Sequence, residues 1–315
     1  MEIRIACFGL LVADCVTATV DSLPERGTLQ LVDRVELHVG GCAANTAVSL
    51  AKLGANVALL GAVGTDGLGD FILHAVRAAG VDTGGVRRFA EVPTAATTVC
   101  VHSDAERSFL HVPGANAAFR ASDTNWDATQ GATIFHIAGP QLMTALEAEN
   151  GIATITQEAK RRGMLVTLDT VMNPRSRGWS ALKDAMPFVD WFLPSDAEAR
   201  SLSGESDLES QVEFFRSGGA TNVAIKTGKD GCYVAPLEKD NFYVPGFVVD
   251  AVDSLGAGDA WIAGFLWGLA RGWHVPETAL FANAVGAHAV QSYGATTGIP
   301  EEADILAFLQ LQKEA

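Results

Sequence analysis

Short apolar runs alternate with helical patterns along most of this chain, and that rhythm constrains its fold more than any other feature. Residues 3–11, IRIACFGLL, read as a buried first strand. GGCAANTAVSLAKLG (40–54) opens a helix, with Ala44, Ala47, Val48 and Ala51 on one face and Gly54 where a C-terminal cap belongs. NVALLGAVG (56–64) is again short and apolar. DGLGDFILHAVRAAG (66–80) is again helical, with Phe71, Ile72, Ala75, Val76 and Ala79 apolar. Strand and helix in turn make βαβ units, and βαβ units make a parallel sheet covered on both faces.

The rhythm breaks twice. Residues 17–39 alternate like strands around a turn at LPERG. TAATTVCVHSDAERSFLHV (94–112) reads as two strands about the turn Ser-Asp-Ala-Glu. Together these pieces would form a small second sheet. The alternation then resumes through TIFHIAG (133–139), MLVTLDT (164–170), DWFLPS (190–195), NVAIKTG (222–228) and GCYVAP (231–236), and ends in two long helical patterns, 260–271 and 278–291. The expected architecture is a single α/β domain over residues 1–315, doubly wound on a mainly parallel sheet. A β lid formed by insertions at about 15–38 and 94–114 completes it.

Charge limits what such a molecule binds. Its 22 Lys and Arg stand against 37 Asp and Glu, a net charge of −15 with no basic cluster, which argues against nucleic acid and anionic membrane as partners. The chain has no apolar run of about 18 residues, the length of a membrane span. Its apolar start lacks a basic flank and a small-x-small cleavage site and is interrupted by Asp14, so it reads as a strand and not as a signal peptide. The five cysteines, Cys7, Cys15, Cys42, Cys100 and Cys232, are odd in number and show no C-x-x-C spacing. This disfavours a disulfide framework or structural zinc and fits a reducing, cytoplasmic setting.

Two stretches could carry chemistry. In DSLGAGDAWIAGF (253–265), small residues precede a helix, so backbone N–H groups and the helix dipole could hold an anion. Asp259 there reads either as an N-cap or as a carboxylate taking a proton from a hydroxyl beside that anion. In GGCAAN (40–45), a Gly-Gly pair allows close backbone approach, and Asn45 can donate and accept hydrogen bonds at the same helix end. GAVGTDGLGD has glycines but no clean G-x-G-x-x-G, and the first strand runs into GLLVAD. A nicotinamide-dependent dehydrogenase is therefore disfavoured.

Taken together, residues 40–70 and 253–265 resemble the two signatures of the PfkB family of carbohydrate kinases, the ribokinase-like proteins, and the resemblance runs nearly the whole length. It implies an α/β core with a β lid over a sugar site. Asp259 resembles the catalytic base, and Gly256, Ala257 and Gly258 the anion hole for the transferred phosphate. Asp14, Gly41 and Asn45 match substrate-binding positions. Thr227, Gly228 and Gly231, in KTGKDG, resemble the nucleotide loop, and Asn283 falls where the family contacts adenine. Glu198 matches a carboxylate that serves magnesium through water. Asp253, Leu255 and Gly294 lie where many members hold a monovalent cation such as K+. Ser195 departs from the usual N-x-x-E, and LDTVMNPRSRGW matches D-x-N-x-R only loosely, so no role passes to Asn173 or Arg175.

The resemblance implies ATP and Mg2+ as cofactors, a hydroxymethyl group of a small sugar as acceptor, and a homodimer formed by pairing lids. A nucleoside or sugar acid is the alternative acceptor. A binding protein that has lost catalysis is the rival from another class, and the intact Gly-Ala-Gly-Asp argues against it. The lid shows no basic cluster for a phosphosugar, which favours an unphosphorylated acceptor such as ribose or fructose; a well-placed Arg107 would reverse that preference.

Overall fold

A computed structural model of the chain describes residues 3–103 and 106–314. Asp104 and Ala105, the middle of the expected Ser-Asp-Ala-Glu turn, lie outside the described residues. In chain order the strands are β1 (Arg4–Gly9), β2 (Val12–Ala18), β3 (Arg34–Gly40), β4 (Asn56–Gly64), β5 (Asp82–Phe89), β6 (Ala96–Val101) and β7 (Arg107–Val112). They continue as β8 (Ile134–Ala138), β9 (Leu165–Leu168), β10 (Trp191–Phe192), β11 (Asn222–Lys226), β12 (Gly231–Ala235) and β13 (Phe242–Pro245).

Nine strands form one sheet in the order β13-β12-β11-β10-β9-β8-β1-β4-β5. It is parallel from β11 to β5, and the β12–β13 hairpin adds an antiparallel edge. The parallel strands are apolar because both faces are covered. Helices Cys42–Lys52, Gly67–Ala78, Ala257–Ala270 and Val275–Ala289 pack on one face, and Gly151–Arg161 and Leu208–Ser217 on the other. The two long C-terminal helices each begin three residues earlier than their apolar patterns. The first starts with Ala-Gly-Asp, and Pro276 is tolerated in the first turn of the second, where no N–H partner is lost.

β1 pairs with β4 on one side and β8 on the other, and the chain winds away from it in both directions. Such a reversal leaves a crevice at the carboxyl ends of the strands, where ligands bind in open α/β sheets.

The second sheet has the order β3-β2-β6-β7 and follows β1 after only two residues. Its register sorts side chains by face, since successive residues of a strand point oppositely. The cross-strand rows His38–Asp14–Thr97–His111, Glu36–Val16–Val99–Phe109 and Arg34–Ala18–Val101–Arg107 share one face. Val35, Leu37, Cys15, Leu110 and Val112 belong to the other. Asn116 pins the connection between core and lid: its amide donates to Leu11 O at 2.9 Å and accepts from Leu11 N at 3.3 Å.

Candidate active site

The helix Ala257–Ala270 carries the Gly-Ala-Gly-Asp stretch. Its N-cap is Gly256, with φ +73°, so Asp259 is the third helical residue. The N-cap reading of Asp259 is therefore wrong. Gly256 is needed twice over: a side chain would be strained at that φ, and its Cβ would stand 2.5 Å from Ala295 Cβ. Gly258 is different, because a Cβ there would meet only the Lys226 side chain, at 3.9 Å.

Asp259 Oδ2 accepts from Asn45 Nδ2 at 2.8 Å, which ties the starts of the two signature helices together. One oxygen of Asp259, one of Asp169 at the end of β9 and the sulfur of Cys42 lie within 4.8 Å of one another. Lys226, the last residue of β11, donates from Nζ to Asp169 Oδ1 at 2.7 Å and to Leu193 O at 2.8 Å. Glu198 adds a further negative charge to this group.

Electrostatics follow from burial and from this crowding. Asp259 is pushed up to about 7, chiefly by burial and partly by Asp169 and Glu198, against the Asn45 hydrogen bond and Lys226. Burial also raises Asp169, to about 6, against the pull of Lys226. Burial alone would lower the Lys226 ammonium, but Asp169 and Glu198 outweigh it and keep the group charged. The Cys42 thiol is held well above its ordinary range by burial and by the neighbouring carboxylates.

On the lid side, Asp14 is 9% exposed, and burial raises its carboxyl despite the Thr97 hydroxyl beside it and two nearby histidines. His111 Nδ1 lies 3.1 Å from Thr97 Oγ1. Gly40 faces Asp14 so closely that a Cβ would stand 1.9 Å from Asp14 Oδ2. Gly41 is the N-cap of the Cys42 helix, with φ +91°. A chain of contacts thus links the four where the small sheet meets the core: Asp14 abuts Gly40, Gly41 caps the helix that carries Asn45, and Asn45 holds Asp259.

Thr227, Gly228 and Gly231 form the loop after β11, where the Thr227 hydroxyl lies 3.0 Å from Tyr243 Oη. Asn283 is 6% exposed. Its carbonyl accepts from Trp261 Nε1 at 2.7 Å, and its amide donates to Val244 O and Pro245 O at 3.0 Å each. Both amide hydrogens are engaged within the protein, so it braces the wall formed by β13. Ser195 caps the helix Asp196–Ser203 in a capping box with Glu198, whose Oε2 accepts from Ser195 N and Oγ at 2.7 Å each. Asp253, Leu255 and Gly294 also come together: Asp253 Oδ1 accepts from Leu255 N at 2.8 Å and Oδ2 from Gly294 N at 3.0 Å.

Lys226, Asp169 and Asn116 belong to the same assembly without any role assigned to them from sequence, and from sequence Gly40 reads only as half of the Gly-Gly pair. For the first two a signal existed, since a lysine and an aspartate end the apolar runs NVAIK and LVTLD, where an unpaired charge would be costly.

Comparison with known proteins agrees with this geometry. The model of the pfkB family of carbohydrate kinases matches residues 2–302. An ATP-dependent ribose-1-phosphate kinase from Halopiger xanaduensis is 32% identical over 295 residues, covering 93% of this chain and 94% of that protein. A 2-dehydro-3-deoxygluconokinase from Bacillus subtilis is 28% identical, covering 92% of each. The crystal structure of a fructokinase with bound ATP from Xylella fastidiosa superposes with a TM-score of 0.86 at 26% identity, covering 99% of this chain and 100% of that one. The ribokinase-like fold and the near-complete family match carry one conclusion: this chain belongs to the pfkB family of carbohydrate kinases and is a phosphotransferase.

Proposed function

We propose that this kinase transfers the γ-phosphoryl group of ATP to a hydroxymethyl group of a small unphosphorylated sugar, ribose- or fructose-like. The observation that carries the reading is the Asp259 carboxylate, half-buried, raised to about 7 and set in the first turn behind Gly256–Gly258. A base with that affinity for protons can take one from an alcohol near neutral pH. The backbone N–H groups of the same helix start face the anion that the transfer creates.

Asp14 and Asn45 hold the sugar, Asp14 by accepting hydroxyl hydrogen bonds. As the acceptor oxygen attacks the γ-phosphorus, its proton passes to Asp259, the bond to the bridging oxygen breaks, and ADP leaves. Lys226 lies beside Gly258 and supplies a fixed positive charge at the transferring group, while Asp169 keeps the ammonium in place. Thr227, Gly228 and Gly231 line the nucleotide, and Asn283 shapes its wall. The carboxylate oxygens of Asp169 and Glu198 suit a hard cation, which leaves Asp259 to act as the base, and Glu198 would hold Mg2+ through water. When bound, Mg2+ neutralises charge on the phosphates. An ATP-containing cytoplasm is the matching setting.

The acceptor preference rests on the lid. Arg107, the arginine that could have favoured an anionic acceptor, is paired with Asp253 at 2.7 Å. An ADP-release assay over sugars, sugar acids, phosphosugars and nucleosides tests the reading. Turnover is expected with a neutral sugar, and a clear preference for a phosphosugar or sugar acid would refute this acceptor class.

A further inference from the structure

At the position expected for a monovalent cation, the positive charge beside Asp253 comes from the chain itself, from Arg107. Asp253 is 7% exposed, and a buried carboxylate needs compensating donors. Oδ1 accepts from Arg107 Nη2 at 2.7 Å and from Leu255 N at 2.8 Å, and Oδ2 accepts from Gly294 N at 3.0 Å. The Gly294 carbonyl is taken by Thr297 N at 3.4 Å. Leu255 and Gly294 therefore turn N–H groups toward this carboxylate, and the charge opposite it is a guanidinium. That donor set suits a planar, weakly hydrated cation fixed in the chain better than a bare ion seeking free oxygens.

Arg107 comes from the lid. Its row, Arg34–Ala18–Val101–Arg107, lies at the end of the lid sheet farthest from the Leu10–Leu11 connection and on the same face as Asp14. The lid meets this loop at two further points. The Arg34 guanidinium lies 5.5 Å from the Tyr293 ring centre, and the His38 ring lies 3.7 Å from where a Cβ on Gly294 would stand. Asp253 in turn holds Leu255, the residue before Gly256, and Gly294, the residue before the Ala295 that abuts Gly256. Its carboxylate thus joins both loops that shape the anion hole.

We propose that Arg107 takes the place of a monovalent cation at Asp253, so that closure of the lid, and not K+, completes the anion hole. Arg107 is then a positioning residue, acting on the transferring phosphoryl group through Asp253 and Leu255. The inference rests on the kinase reading and adds that phosphoryl transfer is independent of K+ and coupled to lid position.

The test compares wild type, Arg107→Ala and Arg107→Lys in KCl and in tetramethylammonium chloride at equal ionic strength. Wild type is expected to give the same kcat in both salts and the same melting temperature. Arg107→Ala is expected to lose kcat on the order of 10²-fold in tetramethylammonium, since small misplacements of catalytic groups have effects of that size. K+ or guanidinium should restore part of that loss and should raise the melting temperature of this variant alone. Arg107→Lys should lie between the two. A wild-type kcat or melting temperature that rises specifically with K+ would overturn the proposal, as would an Arg107→Ala enzyme of wild-type kcat in tetramethylammonium. The melting readout needs no acceptor, so it judges Arg107 even if every sugar fails in the turnover assay.

Discussion

Asp259 combines two demands that oppose each other. As a base it must lose its proton near neutral pH, and its surroundings make that loss costly. For the unliganded enzyme, kcat/KM should rise with pH, about tenfold per unit below pH 7, and level off above it. A flat profile across that range would remove Asp259 as the base. Stability has the opposite sign. The folded state keeps this proton up to about 7, whereas the unfolded chain releases it near 3.8, so between those values the folded state binds more protons and stability falls as pH rises. Asp259→Asn should lose on the order of 10³-fold in turnover while retaining ATP binding. At pH 8 it should melt above wild type, because it is relieved of a charge that the site crowds. Two glycines allow a further separation. Gly258→Ala meets no atom closer than 3.9 Å, so the protein should fold normally and lose kcat, because the added methyl enters the space reserved for phosphate. Gly40→Ala collides with Asp14 and should raise the sugar KM on the order of tenfold or more, with ATP binding unchanged. Titrations of each ligand against both variants will show whether the two losses separate in this way.

At the scale of elements, the helix Asp196–Ser203 shows how a departure from the family pattern is absorbed. Ser195 supplies the cap that orients Glu198, through N–H and hydroxyl both. Ser195→Ala should cost about 1 kcal/mol of stability, the usual value of an N-cap, and should raise the Mg2+ concentration needed for half-maximal rate. Chemical denaturation and a Mg2+ titration would check the two effects separately. The parallel strands and the β6–β7 pair were legible from sequence because periods of 2 and 3.6 residues show within a short window. Of the alternation expected over 17–39, by contrast, the strands form only at Val12–Ala18 and Arg34–Gly40, with residues 19–33 irregular between them. The ion pairs of the site were not legible. Lys226 and Asp169 are 57 residues apart, and Arg107 and Asp253 are 146 apart. Nothing local marks such partners, which only the winding of the sheet and the folding-over of the lid bring together. Asn283 is a related case: its place in the chain points to the nucleotide, and because its amide hydrogens are consumed by Val244 and Pro245 it would act there through the wall it braces.

At the scale of the whole molecule, one face of the lid sheet exposes apolar side chains. Val35 is 61% exposed, Leu110 62% and Val112 48%, and the register puts them on the same side as Leu37 and Cys15. We propose that a second copy covers this face, forming a homodimer through paired lids, because an exposed apolar sheet face invites association. Light scattering should give twice the chain mass, and Leu110→Glu, which places a charge on the outer face, should give the monomer. A wild-type monomer would remove the idea. Among the described residues, no helix is long and apolar enough to cross a membrane.

The alternation of the lid strands has a consequence for how such an enzyme can change. Asp14, His38, Thr97, His111 and Arg107 share one face of the sheet, while their immediate neighbours in the chain belong to the other. Under the proposed function and the proposed dimer, acceptor choice and self-association would be written on opposite sides of one ribbon, in interleaved positions. Point substitutions can alter either trait and spare the other. The loss of a single residue within β2 or β3 would exchange the two faces along that strand and disturb both at once. A deletion within these strands should therefore cost more than a replacement, whereas a change of length in the irregular stretch of residues 19–33 would leave the register intact.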